Sequence, residues 1–394
     1  MKIYRLFSYS LFIVFGAFQL SAQVAQIPFE TKDNGHIYLK VKVNDSDKVL
    51  NFVFDTGATS DLLDIKTSKS LGLKPNYQQS VEGAGGSKTY DIILNQQLHL
   101  EKGISIDNTN LVLTDLSSFH ELSDRGFYGI IGYSLIRKFI TKIDYETNEL
   151  ILYKKLNEVN LSGYKAIPFK FGNGIPIPQF DISITLKNGE TFSGRILFDS
   201  GAGLTLSVNT PFSKQKRLSE KSGKSIVSKS QNLSRTSISE EVAISSLTIG
   251  GYEFKDLTIT LSNDTSGVSA YPNYLGIMGA KIIQRFNVVL DYSSKRLYIK
   301  PNRKFDSAFE FPVSGIRLKN IEGKIIVDDV VDSSQAYKLG LRKGDQVIAV
   351  NDTKSKEVST FRRMLKKEGK EVTVKVLKPT GETKNYTFKL VRLL

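Results

Sequence analysis

The chain has 394 residues, 40% of them hydrophobic and gathered in many short apolar runs, which excludes a disordered chain and predicts about two or three domains. With no cysteine and three histidines, it cannot form a disulfide and has almost no material for a zinc site or a Cys/His nucleophile pair. The formal net charge of +14 reads as a solvated basic surface open to acidic partners, and without interleaved aromatic and basic motifs it does not point to nucleic acid.

Residues 1–22 open with Lys2 and Arg5, pass through the apolar run LFSYSLFIVFGAFQL and reach Ser21 and Ala22. That layout is a secretory signal cleaved near Ala22, with a retained membrane anchor as the alternative. The run is short for a bilayer span and no other segment is apolar enough to cross. The expected mature protein is exported (periplasmic, secreted or cell-surface associated) and keeps no stable membrane span.

Next comes the alternating run HIYLKVKVN, then FDTGATSDLL at 54–63, which sets Asp55 between Val53-Phe54 and the small turn Thr56-Gly57-Ala58. The segment SVEGAGGSKTYDI at 80–92 carries Gly83, Gly85 and Gly86 at its centre. It predicts either a mobile hairpin tip that closes over a ligand or an ordinary hairpin turn, with Tyr90 off the tip. GIIGYSLIRKFITKIDYETNELILY follows at 129–153, and LSGYKAIPF at 161–169 is expected to be a crossover. His36, His99 and His120 lie far apart and read as surface or turn residues.

The pattern then repeats. ILFDSGAGLTLSV at 196–208 matches the first turn and brings a second carboxylate, Asp199. GIMGAKIIQRFNVVLDYSSKRLYIK at 276–300 aligns without gaps on 129–153, so Gly132 falls on Gly279 and Asp144-Tyr145 on Asp291-Tyr292. The intervals from each aspartate to its paired glycine are nearly equal. The duplicated β-rich unit covers 27–155 and 165–300, and the polar stretch 225–242 is either a second flap or a flexible excursion.

A lone Asp-Thr-Gly is most often a solvated turn, but two copies with matched partners resemble the aspartic peptidases, the pepsin and retropepsin group. That resemblance implies a mainly β fold of two retropepsin-like lobes with a cleft between them. Asp55 and Asp199 would be the catalytic pair, supported by Thr56, Gly57, Ser200 and Gly201. Ile130-Ile131-Gly132 and Ile277-Met278-Gly279 would pass beside the turns as ψ-shaped loops, and Thr56 and Ser200 would bond across them. Two carboxylates within hydrogen-bond reach cannot both ionise easily, so one holds a proton while the other activates water. Glycine at 57 and 201 lets the backbone pass close to the carboxylates. Both lobes sit in one chain, so oligomerisation is not required, and no cofactor or metal is implied.

From about residue 310 the texture changes. SGIRLKNIEGKIIVDDVVDSSQAYKLGLRKGDQVIAVND, with Ser334-x-Ala336, Gly340-Leu341 and Gly344-Asp345, resembles a PDZ domain of exported bacterial proteases over 310–394, a small β-barrel with two helices. TFRRMLKKEG at 360–369 is the expected second helix. By resemblance, Val313, Ser314, Gly315 and Ile316 align with the loop that captures a C-terminal carboxylate. Ser314 and Gly315 depart from the bulky form of that loop, so ligand binding and simple packing both stay open. The whole chain reads as an exported aspartic endopeptidase acting on peptides or unfolded proteins. Its alternative is a non-catalytic peptide-binding scaffold.

Overall fold

Alternation decides the architecture. In Leu50–Phe54 and Thr191–Phe198, Phe52, Phe54, Ile196 and Phe198 enter the main core, while Val53 and Leu197 turn to the opposite face. The computed structural model describes residues 23–31, 35–83, 86–121, 126–172, 174–232 and 236–394. Residues 1–22, expected to be an export signal, and Gly85 lie outside the described residues.

Eight strands of the first lobe run in the spatial order Glu30–Thr31, Ile37–Val43, Leu50–Phe54, Gly129–Ile131, Asp61–Asp64, Ser105–Thr114, Gly86–Leu100 and Tyr77–Gly83. In the second lobe the order is Lys170–Gly172, Ile175–Leu186, Thr191–Phe198, Gly276–Met278, Leu206–Val208, Tyr252–Ser262, Thr236–Ile249 and Ser225–Gln231. The two orders match strand for strand. Each sheet also closes on itself, Ile37–Val43 pairing with Gly86–Leu100 and Ile175–Leu186 with Thr236–Ile249.

A third sheet joins the lobes in the order Gln23–Pro28, Glu149–Tyr153, Ile140–Asp144, Phe286–Asp291, Arg296–Pro301 and Lys165–Pro168. At its centre Lys142 pairs with Val289, its own counterpart in the repeat, flanked by Thr141–Leu290 and Ile143–Val288. A local two-fold axis therefore passes through that pair. Residues 161–169 do more than cross over, because Lys165–Pro168 pairs with Arg296–Pro301 as the edge strand of this sheet. Ile143, Leu150, Val288 and Leu290 link both barrel interiors into one continuous core.

The C-terminal sheet runs Ile316–Ile321, Lys324–Val330, Gln346–Val350, Glu371–Leu377, Thr383–Lys389, with helices Gln335–Lys338 and Val358–Met364. Ser334 caps the first helix by accepting the Tyr337 amide at 3.1 Å. The second helix stops at Met364, short of the expected 369, because Gly369 and Lys370 turn to bond Leu390. A separate core of Leu318, Val327, Val350, Phe361 and Val374 holds this sheet together. Among the described residues, no helix is long and apolar enough to cross a membrane.

The link between the second lobe and this sheet is fastened by one side chain. Arg285, 7% exposed, donates to the carbonyls of Lys304 (3.2 Å), Phe305 (3.0 Å), Ser307 and Ala308 (3.4 Å), and its guanidinium lies 3.6 Å from the Phe309 ring centre. Phe305 packs on Phe254 and Phe286 beneath it. Arg285→Met would remove the donor of four carbonyls, two of them on half-buried residues, and the packing on Phe309, so denaturant unfolding should show a loss of about 2–4 kcal/mol. Unchanged stability would mean that the phenylalanine contacts alone hold the link.

Candidate active site

Each barrel strand that carries an aspartate is wedged beside a parallel neighbour, and that wedge sets the turn. Leu50–Phe54 runs parallel to Gly129–Ile131, and Asp61–Asp64 pairs antiparallel on the far side of that strand. The Asp55 amide donates to the Ile131 carbonyl at 2.9 Å, and the Asp199 amide to the Met278 carbonyl at 3.0 Å. Both aspartates thus leave their strands at matched points, and the short ψ-loop strands lie where the repeat predicts them.

The turns then hold each other. The Thr56 amide donates to the Ser200 hydroxyl oxygen at 3.0 Å, and the Ser200 amide to the Thr56 hydroxyl oxygen at 3.0 Å. The Thr56 hydroxyl donates onward to the Phe198 carbonyl (2.9 Å) and the Ser200 hydroxyl to the Phe54 carbonyl (3.1 Å). Thr56 is 2% exposed and Ser200 fully buried, so breaking either bond strands a polar group away from water.

This lock brings the two carboxyl groups into hydrogen-bond contact with each other. Gly57 N–H donates to Asp55 Oδ1 at 2.7 Å, while Gly201 and Ala202 N–H donate to Asp199 Oδ1 at 2.8 and 3.0 Å. A Cβ on Gly57 would lie 2.5 Å from the Asp199 carboxyl carbon, and one on Gly201 would overlap the Asp55 carboxyl. Only glycine permits that approach. Burial pushes both carboxyls up, and the negative charge of Asp55 drives Asp199 well above the usual carboxylate range.

Apolar clusters flank the pair on both sides. Tyr38, Val53, Leu62, Tyr90 and Ile130 form one, with Ala58 and Phe119 packed on it. Ile177, Leu197, Tyr274 and Ile277 form the other, with Ala202 and Tyr271. Ala58 and Ala202 belong to the turns themselves, so both clusters adjoin the carboxyls. Tyr90 stands on the hairpin opposite Gln79, four steps from the terminal Gly83–Gly86 pair.

Two features escaped the sequence reading. His36 is half-buried with its Nε2 shut off from solvent: burial pulls its imidazole down to about 4, and it bonds the Gly201 backbone beside Asp199. His99 is half-buried and bonded to Ser105, and His120 bonds the Phe127 carbonyl at 2.7 Å. Asp61, 1% exposed, accepts from the Thr109 hydroxyl (2.5 Å) and the Gly132 amide (3.2 Å), and burial raises it. A charged residue at the head of the apolar strand Asp61–Asp64 was the available signal. In the second lobe, the Thr205 carbonyl takes the Gly279 amide instead, at 2.9 Å.

The C-terminal loop is filled by its own chain. Val313 and Ser314 are buried, the Ile316 amide donates to the Ser314 hydroxyl oxygen at 3.2 Å, and the Gly315 carbonyl accepts from Val331 at 2.8 Å. Gly315 has φ +67° and packs close to Ser334 and Leu393. On the adjoining edge strand Ile316–Ile321, Arg362 donates to the Leu318 carbonyl at 2.7 Å. Among the described residues no three His, Cys, Asp or Glu side chains gather to hold a metal.

Two parts of the chain match known families. Residues 39–135 match the family described as aspartyl protease, and residues 312–390 match the PDZ domain family. No curated protein sequence matches the chain. Among solved structures, an aspartic proteinase from Irpex lacteus is similar at 13% identity, covering 72% of this chain and 98% of that one, with a TM-score of 0.45. The chain thus carries an aspartyl protease family domain in its N-terminal half, followed at its C-terminal end by a PDZ domain.

Proposed function

We propose that the protein is an exported aspartic endopeptidase in which Asp55 and Asp199 act as one unit. On this reading residues 1–22 are the export signal, 27–155 and 165–300 the two lobes, and 310–394 the PDZ domain. The observation that carries it is the pair of carboxyls, each on a turn locked by the other and both pushed up by burial.

The chemistry follows from one shared proton. The ionised carboxyl takes a proton from water as the water attacks the scissile carbonyl, and the protonated one donates to the carbonyl oxygen, so no covalent intermediate forms. Thr56 and Ser200 hold the geometry without touching substrate. The apolar clusters around Val53 and Leu197 favour hydrophobic side chains on both sides of the cleaved bond. The PDZ domain supplies peptide recognition apart from the chemistry.

The test is a peptide-library digestion with and without a statine, which mimics the tetrahedral intermediate. Asp55→Asn and Asp199→Asn should each lower turnover by roughly three orders of magnitude or more, and the double variant should be little worse than either. The rate should follow a bell in pH whose two limbs belong to the pair. Full activity in a folded Asp199→Asn protein would remove the peptidase and leave the binding scaffold.

Stability should show two opposite pH dependences. Asp199 is raised on folding, so its contribution is present below the unfolded value and is lost as pH rises towards the folded one. Asp199→Asn should therefore raise the melting temperature at pH 7 while abolishing cleavage. His36 is lowered on folding to about 4, so the unfolded chain takes its proton first, and stability falls as pH drops from the ordinary 6.5. Denaturation between pH 6.5 and 4 should show a loss on the order of 3 kcal/mol in the parent that is missing in His36→Gln.

A further inference from the structure

The second-lobe hairpin, Ser225–Gln231 with Thr236–Ile249, has two unlike faces. Val242 and Ile93 occupy the same core place in the two lobes. The strand register then sets the Ser228–Ser239 pair where the first hairpin has Gln79 and Tyr90, the tyrosine beside Val53 in the cluster next to the carboxyls. Ser228 and Ser239 therefore mark the cleft face. Alternation puts Lys229, opposite Ile238, on the back.

The PDZ sheet seizes that back face at one residue. Arg317 and Asp329 are cross-strand neighbours on Ile316–Ile321 and Lys324–Val330. Asp329 accepts from Lys229 Nζ at 2.9 Å, and the Arg317 guanidinium donates to the Lys229 carbonyl while also pairing with Asp328 at 2.9 Å. Side chain and backbone of one residue are thus held together, with the ion pair about a third exposed or less. Val227 and Ile238 beside it stay 58% and 55% exposed, so the hold is concentrated at Lys229.

The gripping sheet is itself anchored elsewhere. Arg392 bonds Asp256 of the second lobe at 2.8 Å, and the strand Ile316–Ile321 lies against the first-lobe helix Ser117–Glu121, whose Phe119 packs on the cluster beside Asp55. The PDZ domain is therefore fixed to both walls of the cleft.

We propose that Lys229 is a positioning residue through which the PDZ domain sets the second-lobe hairpin for extended substrates. This rests on the aspartic endopeptidase reading. The hairpin reaches beyond the scissile bond, so its hold governs the binding of long peptides more than the chemical step.

The test uses the full chain. Lys229→Met should raise KM for an eight-residue fluorogenic peptide roughly three- to tenfold, while kcat and both limbs of its pH profile stay put. A four-residue peptide should respond little, and Lys229→Arg should restore most of the effect. Asp329→Asn, on the other partner, should act alike, and the double variant should not add. Hydrogen exchange of amides 225–231 should quicken in both variants, measured in an Asp199→Asn background that does not cleave. That arm separates failure of the grip from failure of the peptidase reading. Unchanged KM and exchange, additive effects, or equal effects on short and long peptides would each overturn the proposal.

Discussion

Everything at the centre of this molecule depends on four hydrogen bonds between Thr56 and Ser200 and the strands that carry them. Two carboxyls in contact repel once both ionise, and burial makes that repulsion worse. The repulsion has to be met by something stiffer than two surface turns. Reciprocal amide-to-hydroxyl bonds meet it, because each hydroxyl accepts from the opposite turn and donates to the opposite strand, so neither turn can retreat alone. Serine keeps the same donor and acceptor as threonine, which is why the two copies differ at this position without loss.

The shared sheet gives that lock its foundation. The pairing of Lys142 with its own counterpart Val289 puts a two-fold axis between the lobes, and the continuous core fixes their separation. Any shift of one barrel would break close-packed contacts among Ile143, Leu150, Val288 and Leu290. Structural stability is therefore carried below the carboxyls. The carboxyls can then stay destabilised by burial without loss of the fold.

The repeat made the lobes legible, since two turns with matched downstream glycines require two like units, and the strand orders agree. The ψ loops and the role of glycine at 57 and 201 were legible for the same reason. What stayed hidden depends on contacts between distant segments. His36 looks like any histidine before a strand until the fold carries it to Gly201. Lys165–Pro168 has too few residues to announce a strand and gains its identity only from Arg296–Pro301. Arg285 sits in the short turn between the helix Ala280–Ile283 and the strand Phe286–Asp291, and its partners are backbone carbonyls, which no side-chain pattern can signal. The end of the helix Val358–Met364 was likewise set by Leu390, far along the chain.

Fusing the two lobes in one chain also lets them diverge, and the differences sit where a symmetric dimer could not place them. Asp61 answers Gly132 with a carboxyl, whereas the second lobe answers Gly279 with the Thr205 backbone. His36 faces the second turn, while the register puts Ile177 at the matching point of the other lobe. The first hairpin closes on a Gly83–Gly86 pair, and the second is held from behind at Lys229. A glycine pair leaves the backbone many conformations, whereas a two-point grip removes them. On the proposed peptidase reading, one wall of the cleft adjusts to a substrate while the other offers a fixed reference. On the same reading the carboxyl pair needs that division, because a single proton must be aimed at one carbonyl while chains of different sequence are accommodated around it.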